Sequence, residues 1–469
     1  MTFLTTARAI LGEDYVLSAA QAARYGIDFM GKYKGAPATV LRPANTEEVS
    51  QLMRAAHETG QPIVPVSGST GLNGGVHAPG GVLLSLDRLN QIEEIRVDAR
   101  VAVVGAGVIL SNLHDATGAH DLSFPLTFGA KGSAMIGGVL STNAGGSNVL
   151  RYGNTRDLCL GLEVVLADGR VMDLMNALHK DNTGYDLRDL MIGAEGTLGI
   201  ITRAVLKLVP LPRAYATAMI AVPTLGVALE ALNSLQAATG GAVEAFEYMP
   251  RAHFDRLIAL KPETRAPFER AYDINILLEV GATSARDATA NADGSLPIMG
   301  YLETVLGDLL DSGAVLDAVI AQTEAQRAQM WAAREAAAEI AFSRSPFVLN
   351  DIALPLDGIE PFFASMEALL PLLDAGAEGM AVAHLGDGNI HYMVYPSHGD
   401  PAHLDAIMDA VEGEVRALGG SFSAEHGVGL SKKPSMARRK DPVALEVMRA
   451  IKSALDPKGI LNPGKVLPD

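Results

Sequence analysis

The chain has 469 residues, of which 48% are hydrophobic and 19% are charged, and its formal net charge is −17 at neutral pH. This length accommodates two or three domains, and the composition is that of a folded globular enzyme rather than a disordered chain. The negative charge disfavours nucleic acid or an anionic membrane as a partner, and the single cysteine, Cys159, excludes an intrachain disulfide or a Cys-rich iron–sulfur cluster.

The sequence lacks the signals of a membrane or secreted protein. No apolar run reaches the roughly 18 residues that a membrane span needs. Residues 1–14 carry one arginine and an early acidic pair, which is atypical of a signal peptide. We therefore expect a soluble protein in a reducing, cytoplasmic compartment, where an anionic substrate would need a local positive site.

The first 210 residues show a helical leader followed by short strands and helices. The leader is predicted over residues 1 to about 40 and ends in the segment 25–31. Asn45 and Glu48 form a candidate capping box, so a helix should begin at residue 45 or 46 and end at Gly60. Alternating apolar residues predict strands at 61–66, 82–86, 101–104 and 162–167, and a helix at 109–114.

A Pro-Leu-Pro segment at 210–212 separates this region from one that is richer in alanine and leucine. The composition predicts a second, α+β domain there. A basic cluster at 432–440 is interpreted as a solvated helix face, with docking of an acidic electron acceptor as the alternative. Helices are predicted at 227–238, 317–344 and 357–373, and an exposed loop at 284–296.

The segment from Pro125 to Ile200 contains repeated glycine clusters. Glycine permits φ > 0 and lets the backbone approach a ligand, so such clusters suit the phosphate oxygens of one large anionic cofactor. Each cluster alone is more often a tight turn. The acidic residue that the Rossmann spacing requires is missing, so a dinucleotide would bind differently. The clusters are Gly129–Ser133, Ile136–Gly138, Thr142–Gly146, Arg151–Gly153 and Gly193–Ile200.

A predicted β-hairpin carries a second group of candidate residues. The turn-forming segment 386–389 has strand patterns on both sides, at 380–383 and 392–395. A turn centred on its Asp-Gly pair would place His384 and His391 directly opposite each other, with Cβ atoms about 4.5–5.5 Å apart. Such a pair could share a metal ion, and an equal alternative is that the two rings only hydrogen-bond.

Glu425 and His426 lie on a later glycine-rich turn and add a carboxylate and a further imidazole. Two histidines and one glutamate with an open position are typical of a catalytic zinc site. Nitrogen and oxygen donors together suit a borderline metal.

The glycine clusters and the loop Pro65–Gly75 resemble the FAD domain of the vanillyl-alcohol-oxidase type flavoproteins. The resemblance covers nearly the whole chain and is greatest to the branch that holds D-2-hydroxyglutarate and D-lactate dehydrogenases and the FAD subunit of glycolate oxidase. It implies an α+β fold with a PCMH-type FAD-binding domain and an α+β cap, or substrate, domain with an antiparallel sheet. The implied boundaries are 1–212 for the FAD-binding domain, with a core at about 36–212, 213–418 for the cap domain, and 419–469 for a segment that returns to the FAD domain.

By the same resemblance, Pro65–Gly75 is the pyrophosphate loop of FAD. This loop contains no histidine, and His77, the nearest one, is interpreted as a surface residue, so we expect non-covalent FAD. The closing segment Asp456–Gly464 resembles the one that brings its asparagine near the flavin. The expected FAD contacts are Pro65, Val66, Ser67, Gly68, Ser69, Thr70, Gly71, Gly132, Ser133, Ile136, Gly137, Gly138, Thr142, Asn143, Gly145, Gly146, Tyr152, Gly153, Glu195, Gly196, Gly199, Ile200 and Asn462.

The resemblance also implies a mechanism. It assigns a divalent metal, with zinc favoured, to His384, His391 and Glu425, and the role of base to His426. Arg334 corresponds to the arginine that contacts the substrate carboxylate; the alternative is a surface arginine paired with its neighbouring glutamate. The implied reaction is FAD-dependent oxidation of a D-2-hydroxy acid to the 2-oxo acid.

Three positions depart from the D-2-hydroxyglutarate branch, which carries polar residues where this chain has Ala338, Leu349 and Met393. A lost buried hydrogen bond costs about 1–3 kcal/mol, so a polar or dianionic substrate should bind less well and an apolar side chain better.

The expected partners are the 2-hydroxy acid and an electron acceptor such as an electron-transfer flavoprotein or a quinone, with a homodimer left open. The alternatives are a metal-free FAD alcohol oxidase that uses oxygen, a metal-dependent hydrolase, and an electron-transfer subunit.

Overall fold

In the computed structural model, which describes residues 2–25, 28 and 31–469, the chain divides into two units. The first unit consists of Met1–Gly145, Gly153–Pro210 and Glu425–Asp469. The second consists of Gly146–Tyr152 and Leu211–Ala424. The chain therefore leaves the first unit at 210 and re-enters it at 425, while the predicted domain boundaries lie at 212 and 418.

The helices are distributed over both units. None of those formed by the described residues combines the length and hydropathy of a membrane span. In chain order they are α1 Phe3–Leu11, α2 Thr46–Thr59, α3 Leu110–Gly118, α4 Ile136–Thr142, α5 Val149–Tyr152, α6 Leu187–Met191, α7 Leu225–Thr239, α8 Arg251–Leu260, α9 Ala285–Ala288, α10 Pro297–Asp311, α11 Glu324–Glu335, α12 Ala337–Ala341, α13 Ile359–Leu373, α14 Pro401–Ala417, α15 Lys433–Arg439 and α16 Pro442–Leu455.

The first unit contains two larger sheets. In the four-stranded sheet, of order β1-β2-β4-β3, the last three strands are parallel. The five-stranded sheet is antiparallel and has the order β5-β6-β10-β8-β9, and β7 pairs with β11. The strands are β1 Val16–Ser18, β2 Thr39–Leu41, β3 Ile63–Val66, β4 Val82–Ser85, β5 Ile92–Arg96, β6 Val101–Gly105, β7 Leu122–Ser123, β8 Cys159–Val165, β9 Val171–Leu174, β10 Ile200–Lys207 and β11 Val209–Pro210.

The second unit is built on one antiparallel sheet of seven strands, in the order β15-β12-β14-β13-β17-β18-β16. One face packs on α7, α10, α13 and α14, and residues of α11 pack on the other face. The strands are β12 Ala214–Ala221, β13 Val243–Pro250, β14 Ile274–Ala282, β15 Asp317–Ile320, β16 Val348–Ala353, β17 Glu378–His384 and β18 Asn389–Tyr395.

The capping signals of α2 are confirmed. The backbone N–H of Glu48 donates to Oδ1 of Asn45 at 2.9 Å, and Gly60 ends the helix with φ +70°. The Glu48 side chain accepts from the N–H of Ala44 at 2.7 Å rather than from that of Asn45, so the reciprocal bond is displaced by one residue.

Two helix predictions are wrong over part of their length. In its described residues the leader is α-helical only at Phe3–Leu11, because Gly12 ends the helix with φ +83° and Val16–Ser18 then pairs with β2. Short 3-10 helices follow at Glu13–Tyr15 and Ala23–Tyr25. Its predicted end at 25–31 falls mostly outside the described residues. The helix predicted at 317–344 begins with the edge strand β15, and Thr323 then caps α11 through a capping box with Gln326.

Two predicted surface features are more buried than expected. His77 is half-buried, with its ring centroid 5.4 Å from that of Tyr33. In the basic cluster, Lys432 is buried and Arg438 is half-buried. The interpretation of this cluster as a solvated helix face is therefore wrong at these two residues.

Candidate active site

The predicted pyrophosphate loop Pro65–Gly75 packs against the next glycine-rich segments of the same unit. Gly68 has φ +82°, and a Cβ added to it would lie 2.8 Å from the carbonyl oxygen of Ser133. A Cβ on Gly138 would lie 2.4 Å from the carbonyl oxygen of Ser67. Backbone packing between these segments therefore requires glycine at both positions.

This packing gives a stability prediction. Gly138→Ala is expected to destabilise the protein by about 1–3 kcal/mol or more, because the added methyl group meets backbone that has little freedom to move. Gly300→Ala is the control: it lies in α10 with open space beside it, so alanine should stabilise the helix by about 0.5–1 kcal/mol. Thermal unfolding of the two variants measures both effects, and an unchanged Tm for Gly138→Ala would contradict the packing argument.

Other predicted cofactor positions are open to a ligand. A Cβ added to Gly71 or Gly132 meets no atom within 4 Å. Asn462 donates from Nδ2 to the carbonyl oxygens of Gly75 (3.1 Å) and Glu195 (2.7 Å), while its Oδ1 is buried without a hydrogen-bond partner among the described residues. A ligand N–H, which a flavin carries, would satisfy this oxygen, so the residues present fit FAD.

Glu195 links the predicted FAD segment to the C-terminal residues. Its carboxylate accepts from the backbone N–H groups of Val428 (2.7 Å) and Gly429 (2.9 Å). Burial raises the pKa of Glu195 above its ordinary value, although these two donors favour the charged form. Its side chain therefore holds the chain just after His426, and a contact with FAD stays a prediction.

The remaining predicted FAD residues lie on or beside regular elements. Tyr152 belongs to the short segment grouped with the second unit, where its hydroxyl donates to Glu244 at 2.7 Å. The FAD contacts of this set stay predictions. Pro65 and Val66 end β3, Ser69 and Thr70 lie in the loop after it, Ile136, Gly137 and Thr142 lie in α4, Asn143, Gly145 and Gly146 follow it, Gly153 follows α5, and Gly196, Gly199 and Ile200 lead into β10.

The predicted hairpin is formed by β17 and β18, but its register differs from the prediction. His384 pairs with Asn389, and His391 pairs with Val382, so the histidines are diagonal and not direct partners. The turn centres one position earlier than predicted, because the Asp387 N–H donates to the His384 carbonyl (3.3 Å) and the Asp387 carboxylate accepts from the Asn389 N–H (3.0 Å). Both imidazoles still share one face of the sheet, with ring centroids 5.5 Å apart.

Asp351 brings a carboxylate to this face and was not assigned from the sequence. It is buried on β16 as the direct strand partner of His391, and its Oδ1 lies 3.9 Å from Nδ1 of that ring. The same oxygen accepts from Nδ2 of Asn389 at 3.1 Å. Nitrogen and oxygen donors on one face of the sheet, with the carboxylate buried and the imidazoles half-buried, fit a divalent metal.

Arg334 is buried near the end of α11, with only 9% of its surface exposed, so the alternative of a surface arginine is wrong. Its Nε donates to Oε2 of Glu247 at 2.7 Å. Its Nη2 is buried without a hydrogen-bond partner in the described part of the chain. A buried cation with an unused donor is suited to bind an anionic group.

Glu247 was also missed by the sequence analysis. It lies on the central strand β13, directly across from His384, and its Oε1 is 2.8 Å from Nδ1 of that ring. Burial disfavours the charged form of Glu247, but the interactions with His384 and Arg334 outweigh this and hold its pKa below the ordinary value. One ionised carboxylate thus contacts two of the predicted site residues.

α11 is positioned on the sheet by polar anchors. Arg327 donates to Glu279 through Nε (2.7 Å) and Nη2 (2.8 Å), and Nε1 of Trp331 donates to the same carboxylate at 2.8 Å. Arg327, Trp331 and Arg334 recur at helical spacing, so they project from one side of α11. Arg334 therefore lies on the side of α11 that faces the sheet, where Glu247 is its hydrogen-bond partner.

Glu425 and His426 begin the chain's final segment, and His426 Nε2 lies 3.5 Å from Glu425 Oε1. Nδ2 of Asn73 donates to the carbonyl oxygens of His426 (2.9 Å) and Gly427 (2.6 Å). The residue before them, Ala424, donates its N–H to the Asp351 carbonyl at 3.2 Å. The backbone of this turn is thus held on both sides by contacts that do not use the imidazole.

The sheet face beside His391 is apolar. Met393 is buried there with Leu257 and Ile340, and the half-buried Leu349 packs against the same cluster. Two of the three positions that depart from the D-2-hydroxyglutarate branch thus contribute to one hydrophobic cluster. Ala338 is exposed and does not.

Comparison with known proteins identifies the family. Residues 37–175 match the FAD binding domain, and residues 211–466 match the C-terminal domain of FAD linked oxidases. The chain belongs to the FAD-linked oxidase family and is a flavin-dependent oxidoreductase.

Within that family the chain is similar to D-2-hydroxyglutarate dehydrogenases. It is 36% identical over 444 residues to the mitochondrial enzyme of Bos taurus, a match that covers 94% of this chain and 79% of the relative. It is 35% identical over 449 residues to the enzyme of Xanthomonas citri pv. viticola, covering 94% and 92%. The protein is a D-2-hydroxyglutarate dehydrogenase-like oxidoreductase.

Solved structures show the fold. The chain is similar to p-cresol methylhydroxylase with a TM-score of 0.74 at 19% identity, covering 99% of this chain and 96% of that one. A 4-ethylphenol oxidase from Gulosibacter chungangensis gives 0.72 at 20% identity, covering 100% and 97%. The vanillyl-alcohol-oxidase type fold and the antiparallel sheet of the C-terminal domain are confirmed.

Proposed function

We propose that this protein oxidises a D-2-hydroxy acid to the 2-oxo acid with non-covalent FAD and a divalent metal, zinc being favoured. The observation that carries the proposal is the buried Arg334, whose Nη2 has no hydrogen-bond partner among the described residues. Its side chain is fixed by Glu247, the carboxylate that also contacts His384. A carboxylate on the substrate supplies the acceptor that this guanidinium needs. Arg334 thereby favours 2-hydroxy acids over neutral alcohols.

The metal would be held by His384, His391 and Glu425. Glu425 follows directly on Ala424, whose backbone N–H donates to the Asp351 carbonyl. Asp351 is a further oxygen donor beside His391. When bound, the metal supplies Lewis-acid stabilisation of charge on the substrate oxygen.

His426 is proposed as the base. It accepts the proton of the substrate hydroxyl at its imidazole, a task that suits histidine because its ordinary pKa lies near neutrality. The loop Pro65–Gly75 and the segment Pro125–Ile200 would hold FAD, which would supply the acceptor for the hydride from C2. The family match to FAD-binding domains favours this redox role over the hydrolase alternative. The cytoplasmic location, the electron acceptor and the homodimer stay predictions.

The proposal is tested by recording the visible spectrum of the purified protein under argon while D- and L-2-hydroxy acids are added. We expect a D-acid to bleach the oxidised flavin, and we expect chelation of the metal to slow the bleaching without releasing FAD. A yellow protein that bleaches with none of the acids would contradict the substrate class. Flavin that stays in the precipitate after acid treatment would contradict non-covalent binding.

The side chain of the substrate is expected to be apolar, because Met393 and Leu349 belong to the hydrophobic cluster beside His391. Met393→Asn should raise kcat/KM for D-2-hydroxyglutarate relative to an apolar D-2-hydroxy acid by about tenfold, since a gained hydrogen bond contributes roughly 1 kcal/mol or more. The ratio of the two substrates is its own control, because lost stability lowers both values alike. An unchanged ratio would place Met393 outside the substrate pocket.

A further inference from the structure

Glu247 lies at the centre of the seven-stranded sheet, and only 1% of its surface is exposed. Glu247 is on β13, and its direct partners on the two adjacent strands are Leu277 on β14 and His384 on β17. A carboxylate at such a depth is retained only where donors or cations compensate for its lost hydration. Its two oxygens meet one donor each, His384 Nδ1 and Arg334 Nε.

The contact with Glu247 determines the tautomer of the His384 imidazole. Because an ionised carboxylate only accepts hydrogen bonds, the ring must carry its proton on Nδ1. The lone pair is then on Nε2, so Nε2 is the nitrogen that would ligate a metal. A carboxylate in this position also makes a histidine ligand more basic and fixes the plane of its ring.

The contact with Arg334 orients the guanidinium. Nε is held by Glu247, so the planar group cannot rotate about its long side chain without breaking a 2.7 Å ion pair. The buried Nη2, without a partner among the described residues, keeps a defined direction. The negative charge of Glu247 also offsets the cost of keeping Arg334 charged out of water.

We propose that Glu247 is a positioning residue that orients the metal ligand His384 and the substrate-binding Arg334 through one shared carboxylate. The inference rests on the function proposed above and deepens it. It implies that metal affinity and affinity for the substrate carboxylate change together when Glu247 is altered, although Glu247 itself contacts neither. A purely structural carboxylate would affect stability alone.

The neighbouring strand offers a matched control. Glu279 is also a buried glutamate, on β14, and it also binds an arginine of α11, Arg327, together with Trp331. It contacts none of the residues proposed for the metal or the substrate. Glu279→Gln therefore removes a comparable ion pair from the same helix and the same sheet.

The experiment compares Glu247→Gln with Glu279→Gln in the purified flavoprotein. A glutamine can accept from one of its two donors only, and an amide turned toward His384 favours the other tautomer, with the proton on Nε2. We expect the Zn²⁺ dissociation constant, measured by competition with a chelator, to rise about 10–100-fold in Glu247→Gln. KM for the 2-hydroxy acid should rise with it, while Glu279→Gln leaves both values unchanged.

A second variant covers the case in which Glu247→Gln does not fold. Glu247→Asp keeps the charge on a side chain one methylene shorter, which cannot reach both partners at the observed distances. The Zn²⁺ affinity and the KM of Glu247→Asp should then be intermediate between the wild-type values and those expected for Glu247→Gln.

The outcomes separate the inference from the proposed function. If the wild-type protein binds no Zn²⁺ and no other divalent metal, the metal-dependent function fails, and the inference fails with it. If the wild type binds Zn²⁺ and the Glu247 variants bind it equally tightly with an unchanged KM, only the inference is overturned. Equal losses in the Glu247 and Glu279 variants would also overturn it, because they would indicate a general loosening of α11.

Discussion

His426→Ala is expected to lower turnover with a D-2-hydroxy acid by about 10²–10⁴-fold, the usual contribution of a positioned general base. FAD should stay bound at the wild-type ratio. The turn that carries His426 is held by Asn73 through carbonyl oxygens and by Glu195 through the two backbone N–H groups of Val428 and Gly429. Because none of these contacts uses the imidazole, the variant should lose chemistry without losing the fold.

The measurement is the rate of flavin bleaching in single-turnover experiments, with the FAD content taken from the same spectrum. His120→Ala is the matched control, since His120 is exposed on a turn and its backbone N–H bonds to Thr117. Added imidazole should restore part of the activity to His426→Ala if the missing group is a base. Turnover within about threefold of the wild type would remove His426 from this role.

The fold could be predicted from the sequence to a large extent, because local signals agree with tertiary structure in many elements. The capping residue Asn45 and the stop at Gly60 delimit α2 as expected. The prediction failed where a long-range pairing overrides a local pattern. Residues 317–320 look helical but add an edge strand to β12, a pairing that only the assembled sheet defines.

The candidate site was likewise predicted where local pattern decides the structure and missed where long-range pairing does. The period of two in a strand places His384 and His391 on one face whether they are direct or diagonal partners, so the face was predicted correctly while the register was wrong. The register depends on the side chain of Asp387, which caps the turn and is difficult to weigh from sequence.

Glu247 could not have been found by spacing. It lies 137 residues before His384 and 87 before Arg334. The pairing of β13 with β17 brings it to His384, and the packing of α11 on the sheet brings it to Arg334. The one signal that the sequence offers is an otherwise apolar strand, Val243–Pro250, that carries two glutamates, Glu244 and Glu247. Such a residue indicates a buried partner without saying which one.

Arg334→Lys is expected to lower kcat/KM for a 2-hydroxy acid by about 10–150-fold, corresponding to about 1.5–3 kcal/mol for a lost charge-assisted hydrogen bond. Lysine keeps the positive charge and compensates Glu247, so the buried carboxylate is not left alone. Lysine lacks the planar guanidinium, however. A single ammonium group cannot both bind Glu247, as Nε does, and donate to the substrate carboxylate, as proposed for Nη2.

The matched control is Arg327→Lys, which makes the same substitution two turns earlier in α11 against the buried carboxylate of Glu279. Both variants should lose thermal stability, since each replaces a guanidinium that binds a buried carboxylate. Only Arg334→Lys should lower kcat/KM. The decrease should come mainly from a higher KM, because the substrate carboxylate binds before C2 is oxidised. An equal loss in the two variants would mean that α11 had shifted, and Arg334 would then have no direct contact with the substrate.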